Sequence, residues 1–169
     1  MKLLIVGHGR HGKDTMAEIL NQKFGISFLS SSQAACDKFI YNELKDIKGY
    51  SSIKECFEDR INNRDYWYNR ICEYNLNDRA RLAKDIVGEA DCYVGMRDYD
   101  EFKECLRQEI FDLIIWVDAS DRLPLESGSF NIPKSDVDII VDNNGTLEEF
   151  VNKVERLGRI ILTKNLVES

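Results

Sequence analysis

Proline is scarce in this chain: two residues in 169, Pro124 and Pro133, both within 119–136. Irregular backbone is therefore expected in that stretch, read as a loop excursion. Five cysteines form an odd, scattered set with no C-x-x-C pair, which argues against a redox or zinc motif and for reduced thiols. No basic block is present. The net charge is −7 and the pI about 5.0, with charges of both signs interspersed. That balance argues against a stable nucleic-acid partner or a membrane surface. No apolar run approaches the ~20 residues that span a bilayer, and Leu3-Leu4-Ile5-Val6 is interrupted too soon to be a secretory signal. Repeats, linkers and low-complexity tracts are lacking as well. The expectation is a cytoplasmic protein, one domain over 1–169, monomeric or a homodimer.

What is present is an alternation of short apolar runs and helical periods. Residues 2–6 (KLLIV) suit a strand buried on both faces, and 13–24 keep helical spacing up to Gly25. Strands are also expected at 26–29, 92–94, 113–117 and 137–141. Helices are expected around 34–44, through an inserted region at 33–88, around 102–106, and after Thr146, which forms a capping box with Glu149. This order predicts an α/β fold, a mainly parallel sheet with helices on both faces and ligands at the carboxyl ends of its strands.

The turn after the first strand, Gly7-His8-Gly9-Arg10-His11-Gly12-Lys13-Asp14-Thr15, satisfies two patterns at once. G-x-x-x-x-G-K is a phosphate-binding loop: backbone amides wrap a di- or triphosphate and the lysine neutralises oxygens at the breaking bond. G-x-G-x-x-G is the dinucleotide fingerprint, which needs an acid, or an arginine for a 2′-phosphate, after the second strand. Leu29-Ser30-Ser31-Ser32-Gln33 has neither, so the phosphate loop is preferred. His8 and His11 are expected to point outward while the backbone binds. Asp14 replaces the usual Ser or Thr that ligates Mg²⁺, with Thr15 one place later. Mg²⁺ is then expected to be held largely by water and phosphates, with Asp14 acting through water.

The string G-x-x-x-x-G-K-D-T resembles nucleoside monophosphate kinases of the P-loop superfamily, and the Asp after the lysine resembles the bacteriophage-type deoxynucleoside monophosphate kinases. Tyr93-Val94-Gly95-Met96-Arg97 is similar to the strand-end G-x-x-R segment of that superfamily. Leu113 to Ser120 resembles the strand leading into the lid, and Asp142 to Glu149 the turn beside the donor base. The resemblance implies a P-loop fold with an inserted helical acceptor-binding region at 33–88 and a short lid at 119–136. It implies ATP and Mg²⁺ as cofactors, small nucleotides as partners, and phosphoryl transfer to a (deoxy)nucleoside monophosphate. Lys13 then binds the β/γ-phosphates, Thr15 the α-phosphate side and Arg97 the acceptor phosphate. Arg122 lies in the lid, and Ser31 and Ser32 line the acceptor's base or sugar. Gly7, Gly9, Arg10, His11, Gly12 and Asp14 complete the donor site with Asn143, Asn144 and Gly145. An acceptor phosphate is already nucleophilic, so no general base is required.

Helical spacing further puts Arg60, Arg64 and Trp67 on one face, where Arg64 and Trp67 are candidate acceptor contacts beside the plainer reading of a solvated arginine pair and a core tryptophan. Asp118, ending an apolar strand, is a candidate carboxylate near Mg²⁺ with Asp14, or else the cap of a following turn. Two other functions fit the loop: a kinase acting on a hydroxyl, such as that of a modified base in phage DNA, and a nucleotide-binding module without catalysis.

Overall fold

The apolar run at the start becomes β1 (Leu3–Val6), buried along its whole length. In this computed structural model, which describes residues 1–125 and 130–167, it is joined by β2 (Phe28–Ser30), β3 (Cys92–Val94), β4 (Leu113–Asp118) and β5 (Ile139–Asp142). Their order is β2-β3-β1-β4-β5, and every pairing is parallel. The helices are α1 (Lys13–Phe24), α2 (Ser31–Ala35), α3 (Tyr41–Lys48), α4 (Ile53–Glu58), α5 (Arg64–Tyr74), α6 (Arg81–Glu89), α7 (Tyr99–Arg107) and α8 (Leu147–Val167).

A strand without polar positions needs cover on both faces, and the helices supply it. Alternation sends Leu3 and Ile5 toward Met16 and Leu20 of α1 and Phe150 and Val154 of α8. Leu4 and Val6 join Leu82 and Ile86 of α6 and Phe102 and Cys105 of α7 on the other side. The capping box at α8 forms as expected: Thr146 Oγ1 accepts the Glu149 amide at 3.2 Å, and Glu149 Oε2 accepts the Thr146 amide at 2.9 Å. No helix among the described residues is long and apolar enough to cross a membrane.

The inserted region has its own small core of Ala35, Cys36, Ile40, Leu44, Cys56 and Trp67. Its first helix is longer than expected, because Ser30 Oγ caps it by accepting the Gln33 amide at 3.0 Å and a π turn, Cys36–Ile40, carries α2 on into α3. The expected face of Arg60, Arg64 and Trp67 does not exist. Arg60 lies in a 3-10 turn, Asp59–Asn62, with its guanidinium over the Phe57 ring at 3.9 Å, and Asn63 (φ −129°) breaks the helix before α5 begins.

The chain leaves β1 toward one side of the sheet and β4 toward the other. Such a reversal opens a crevice between their carboxyl ends, the place where open α/β sheets bind ligands.

Candidate active site

The loop that fills this crevice is shaped by contacts no side chain could share. The register Val6↔Trp116 sets Gly7 against Val117, and a Cβ on Gly7 would stand 2.5 Å from the Val117 carbonyl oxygen, at φ +143°. Gly12 has φ +105°, and a Cβ there would stand 2.5 Å from Asn143 Nδ2. Arg10 also adopts a left-handed φ, 64°. Side chains cap α2, α4 and α7, but α1 starts on Gly12 with no capping side chain. The first-turn amides of Lys13, Asp14 and Thr15 therefore face the loop at the positive end of a helix, an anion-binding arrangement. Lys13 Nζ donates to the His8 carbonyl at 2.8 Å, folded back over the same loop. Asp14 is exposed and Thr15 half-buried.

The histidines do not point outward. His11 is fully buried: Nδ1 accepts the Ala119 amide at 3.1 Å, and Nε2 stands 3.3 Å from the Pro124 carbonyl. The His8 ring packs 4.7 Å from Phe130 and edge-on to Trp116 at 5.6 Å. The loop is wedged between β4 and the segment beyond it, so its two imidazoles meet protein while Arg10 and Asp14 stay exposed.

Both segments flanking the crevice bear the expected donor-site residues. Asn143, mostly buried, donates twice: its Nδ2 to the His11 carbonyl at 2.9 Å and its backbone amide to the Asp118 carbonyl at 2.6 Å. Arg122 Nε donates to the Asn143 carbonyl at 2.7 Å, and Asn144 Oδ1 accepts the Asp121 amide at 2.9 Å. Gly145 follows in the same turn ahead of the α8 cap. Of the two roles considered for Asp118, the turn cap is the one formed: its Oδ1 accepts the Ser120 amide (3.3 Å), while its Oδ2 takes Lys134 Nζ at 2.6 Å. Burial pushes its pKa up, but Lys134 and Ser120 outweigh this and hold the carboxyl below the ordinary aspartate range. No group of three or more His, Cys, Asp or Glu among the described residues is placed to hold a metal on its own.

The stretch 119–136 is less of an excursion than its composition suggests. Its returning limb is pinned: Phe130 and Ile132 are buried in the core beside α6 and α7, the Asn131 amide donates to the Arg97 carbonyl at 3.3 Å, and Asn131 Oδ1 accepts the Tyr99 amide at 2.7 Å. Gly128 lies outside the described residues.

A second recess opens at the carboxyl ends of β2 and β3. Ser31, Gly95 and Arg97 line it as expected from sequence, while Tyr68, Ile71 and Cys72 of α5 form its helical wall. Asn75 and Arg79 from the turn before α6, with Asp98 and Glu101 at the start of α7, complete it. Ser32 is in the first turn of α2 and Arg64 is exposed one turn ahead of Tyr68; neither lines the recess. Trp67 is 4% exposed, packed in the core of the inserted region, and does not line the recess, so the expected acceptor contact is not formed. The recess side of α5 lies one residue on from Arg64 and Trp67, at Tyr68, Ile71 and Cys72. Arg79 and Glu101 were missed, and for Glu101 the sequence signal pointed elsewhere. It follows Asp98 by three, the place from which a carboxylate usually turns back to cap a helix.

No protein-family model matches the chain, and no curated protein sequence is significantly similar to it. Solved structures do match. A gluconokinase from Sinorhizobium meliloti 1021 superposes with a TM-score of 0.50 at 15% identity, over 98% of this chain and 95% of that one. A shikimate kinase from Bacteroides thetaiotaomicron superposes with a TM-score of 0.50 at 12% identity, over 95% and 98%. The chain has the P-loop kinase fold, an α/β structure with a parallel sheet between helical layers.

Proposed function

We propose that this chain transfers the γ-phosphate of ATP to a (deoxy)nucleoside monophosphate, giving the diphosphate and ADP. The observation that carries the reading is the pairing of a capless, glycine-shaped phosphate loop with a separate recess bearing Arg97 and Arg79 at the same sheet edge. ATP fits the loop's chemistry: amides of the first turn of α1 meet its phosphates, and Lys13 exchanges the His8 carbonyl for a β/γ oxygen. Asn143, Asn144 and Arg122 then border the donor nucleotide. Mg²⁺ supplies charge neutralisation on the phosphates when bound. Asp118, ionised and paired with Lys134, and Thr15 would hold it, with Asp14 reaching it through water.

In the reaction an oxygen of the acceptor phosphate attacks the γ-phosphorus, the bond to the β–γ bridging oxygen breaks, and ADP leaves. Little covalent help is needed, so positioning and cationic clamps carry the catalysis. A guanidinium takes a phosphate through two parallel hydrogen bonds, which suits Arg97 to hold the acceptor while Lys13 and the loop amides hold ATP.

A hydroxyl acceptor is the second reading. It draws on the likeness to a gluconokinase and a shikimate kinase, and on Asp98 in the recess, a carboxylate able to take a hydroxyl proton. ADP release measured with the ribo- and deoxynucleoside monophosphates, shikimate and gluconate separates the two. Stimulation by at least one monophosphate is expected; stimulation by shikimate or gluconate alone sinks the first reading.

A further inference from the structure

The proposed transfer employs the cations of the acceptor recess and leaves a buried acid beside them without a task. Glu101 is 4% exposed, lines the recess, and through Oε1 accepts the hydroxyl of the fully buried Tyr93 at 3.0 Å. Asp98 caps α7 by accepting the Glu101 amide at 2.9 Å, so the Glu101 side chain is not required at the helix terminus and turns inward. With Oε1 taken by the Tyr93 hydroxyl, the carboxyl's second oxygen is the one left for a ligand.

Resting on the reading of this recess as the acceptor site, we propose that Glu101 selects the acceptor, its carboxyl donating a hydrogen bond to a carbonyl oxygen or ring nitrogen of the bound base. Arg97 and Arg79 take the phosphate end of the same molecule, and Tyr68, Ile71 and Cys72 flank its ring. The donor character follows from protonation. Burial pushes the Glu101 pKa up to about 8, the Tyr93 hydrogen bond opposes this and the Asp98 charge adds to it. Because Oε1 receives the Tyr93 proton, the acid proton resides on Oε2. The other titratable groups around Glu101 do not take over this role. The Tyr93 and Tyr68 hydroxyls and the Cys105 and Cys72 thiols are all pushed up by burial. A neutral carboxyl also spares the recess a second negative charge beside Asp98, which a nucleotide phosphate would otherwise meet.

The test is calorimetric titration of dAMP, dCMP, dGMP and dTMP into the wild type, Glu101→Gln and Glu101→Leu at about pH 7 and about pH 9, with ATP titrated in parallel. Glutamine keeps both features of the neutral acid, an oxygen for Tyr93 and a donor for the ligand. Expected is a wild-type affinity for the accepted monophosphate that falls about 10-fold or more at the higher pH, the worth of one lost hydrogen bond. Glu101→Gln should bind within about 3-fold of the wild type at pH 7 and lose that pH dependence. Glu101→Leu should bind about 10-fold or more weakly at both, with ATP affinity unchanged. A shared pH profile in wild type and Glu101→Gln overturns the role of Glu101, as does a Glu101→Leu variant that binds monophosphates normally. If Glu101→Leu fails to fold, the wild-type and glutamine profiles decide alone. Wild-type protein that binds ATP but none of the four monophosphates removes the acceptor reading itself, and this inference with it.

Discussion

His11 Nδ1 accepts the backbone amide of Ala119 at 3.1 Å, joining the phosphate loop to the first residue beyond β4. An amide can only donate and a carbonyl only accept. The ring is therefore held with Nδ1 bare and its proton on Nε2, toward the Pro124 carbonyl. The His11 carbonyl in turn accepts Asn143 Nδ2 from the segment after β5. The loop that must wrap a triphosphate is thus braced by both neighbours, and the 119–124 segment carrying Arg122 is set in register with it.

Replacing His11 by Ala leaves the buried Ala119 amide without its acceptor. The expected cost is about 1–3 kcal/mol of stability, with weaker ATP binding because loop and Arg122 lose their common brace. Thermal unfolding and ATP titration check this, and His11→Asn, whose Oδ1 can serve the Ala119 amide, should recover part of both. Unchanged melting and ATP affinity in His11→Ala would remove the bracing role.

At Gly7 both conformation and space forbid a side chain. Gly7→Ala must move the Val117 backbone or the loop, since a Cβ would stand 2.5 Å from the Val117 oxygen at φ +143°. A loss of about 1–3 kcal/mol is expected from the strained backbone alone, together with loss of ATP binding. A variant that melts and binds ATP like the wild type contradicts the account of the loop's shape.

Much of this was legible in the sequence, and the exceptions have physical causes. The strand Leu3–Val6, the helix from Lys13 and the Thr146–Glu149 box follow from local patterns, and local patterns decided them. Trp67 misled because an indole beside two arginines on a helical count presumes an unbroken helix, and Asn63 breaks it. Phe130 and Ile132 were lost in a proline-bearing loop because their burial depends on α6 and α7, which no local window contains. Glu101 was invisible for the same reason: its inward turn is dictated by Tyr93, eight residues away on a strand.

The Lys134–Asp118 pair supplies a pH-dependent prediction. Asp118 is held below its ordinary range, so its contribution to stability is present above the unfolded value near ~3.9 and is lost as pH falls through the lower folded one. Lys134 is 40% exposed, which limits the pair to about 0–1 kcal/mol. Carboxyl carbon NMR should show the Asp118 midpoint moving up in Lys134→Met. If it stays put, Lys134 acts there chiefly by packing over the Trp116 ring, 5.6 Å away.

Arg97→Lys separates acceptor from donor binding. The Arg97 backbone is fixed by the Asn131 amide, so the substitution changes the head group and not the position. A point charge does not reproduce a guanidinium's two-pronged grip. The monophosphate KM should rise about 10-fold or more, the scale of losing a hydrogen bond to a charged group, with ATP affinity unchanged. Kinetics indifferent to the change would transfer the clamp to Arg79.

Transfer can be followed with γ-labelled ATP and Mg²⁺ supplied together with the panel of nucleoside monophosphates. The label is predicted at the β-position of at least one nucleoside diphosphate, and Lys13→Ala should reduce its appearance by about 10²-fold or more, the scale of removing a preorganised charge from the transferring group. A wild-type protein that binds ATP yet labels no monophosphate, or a Lys13→Ala variant that labels as fast as the wild type, would contradict the account.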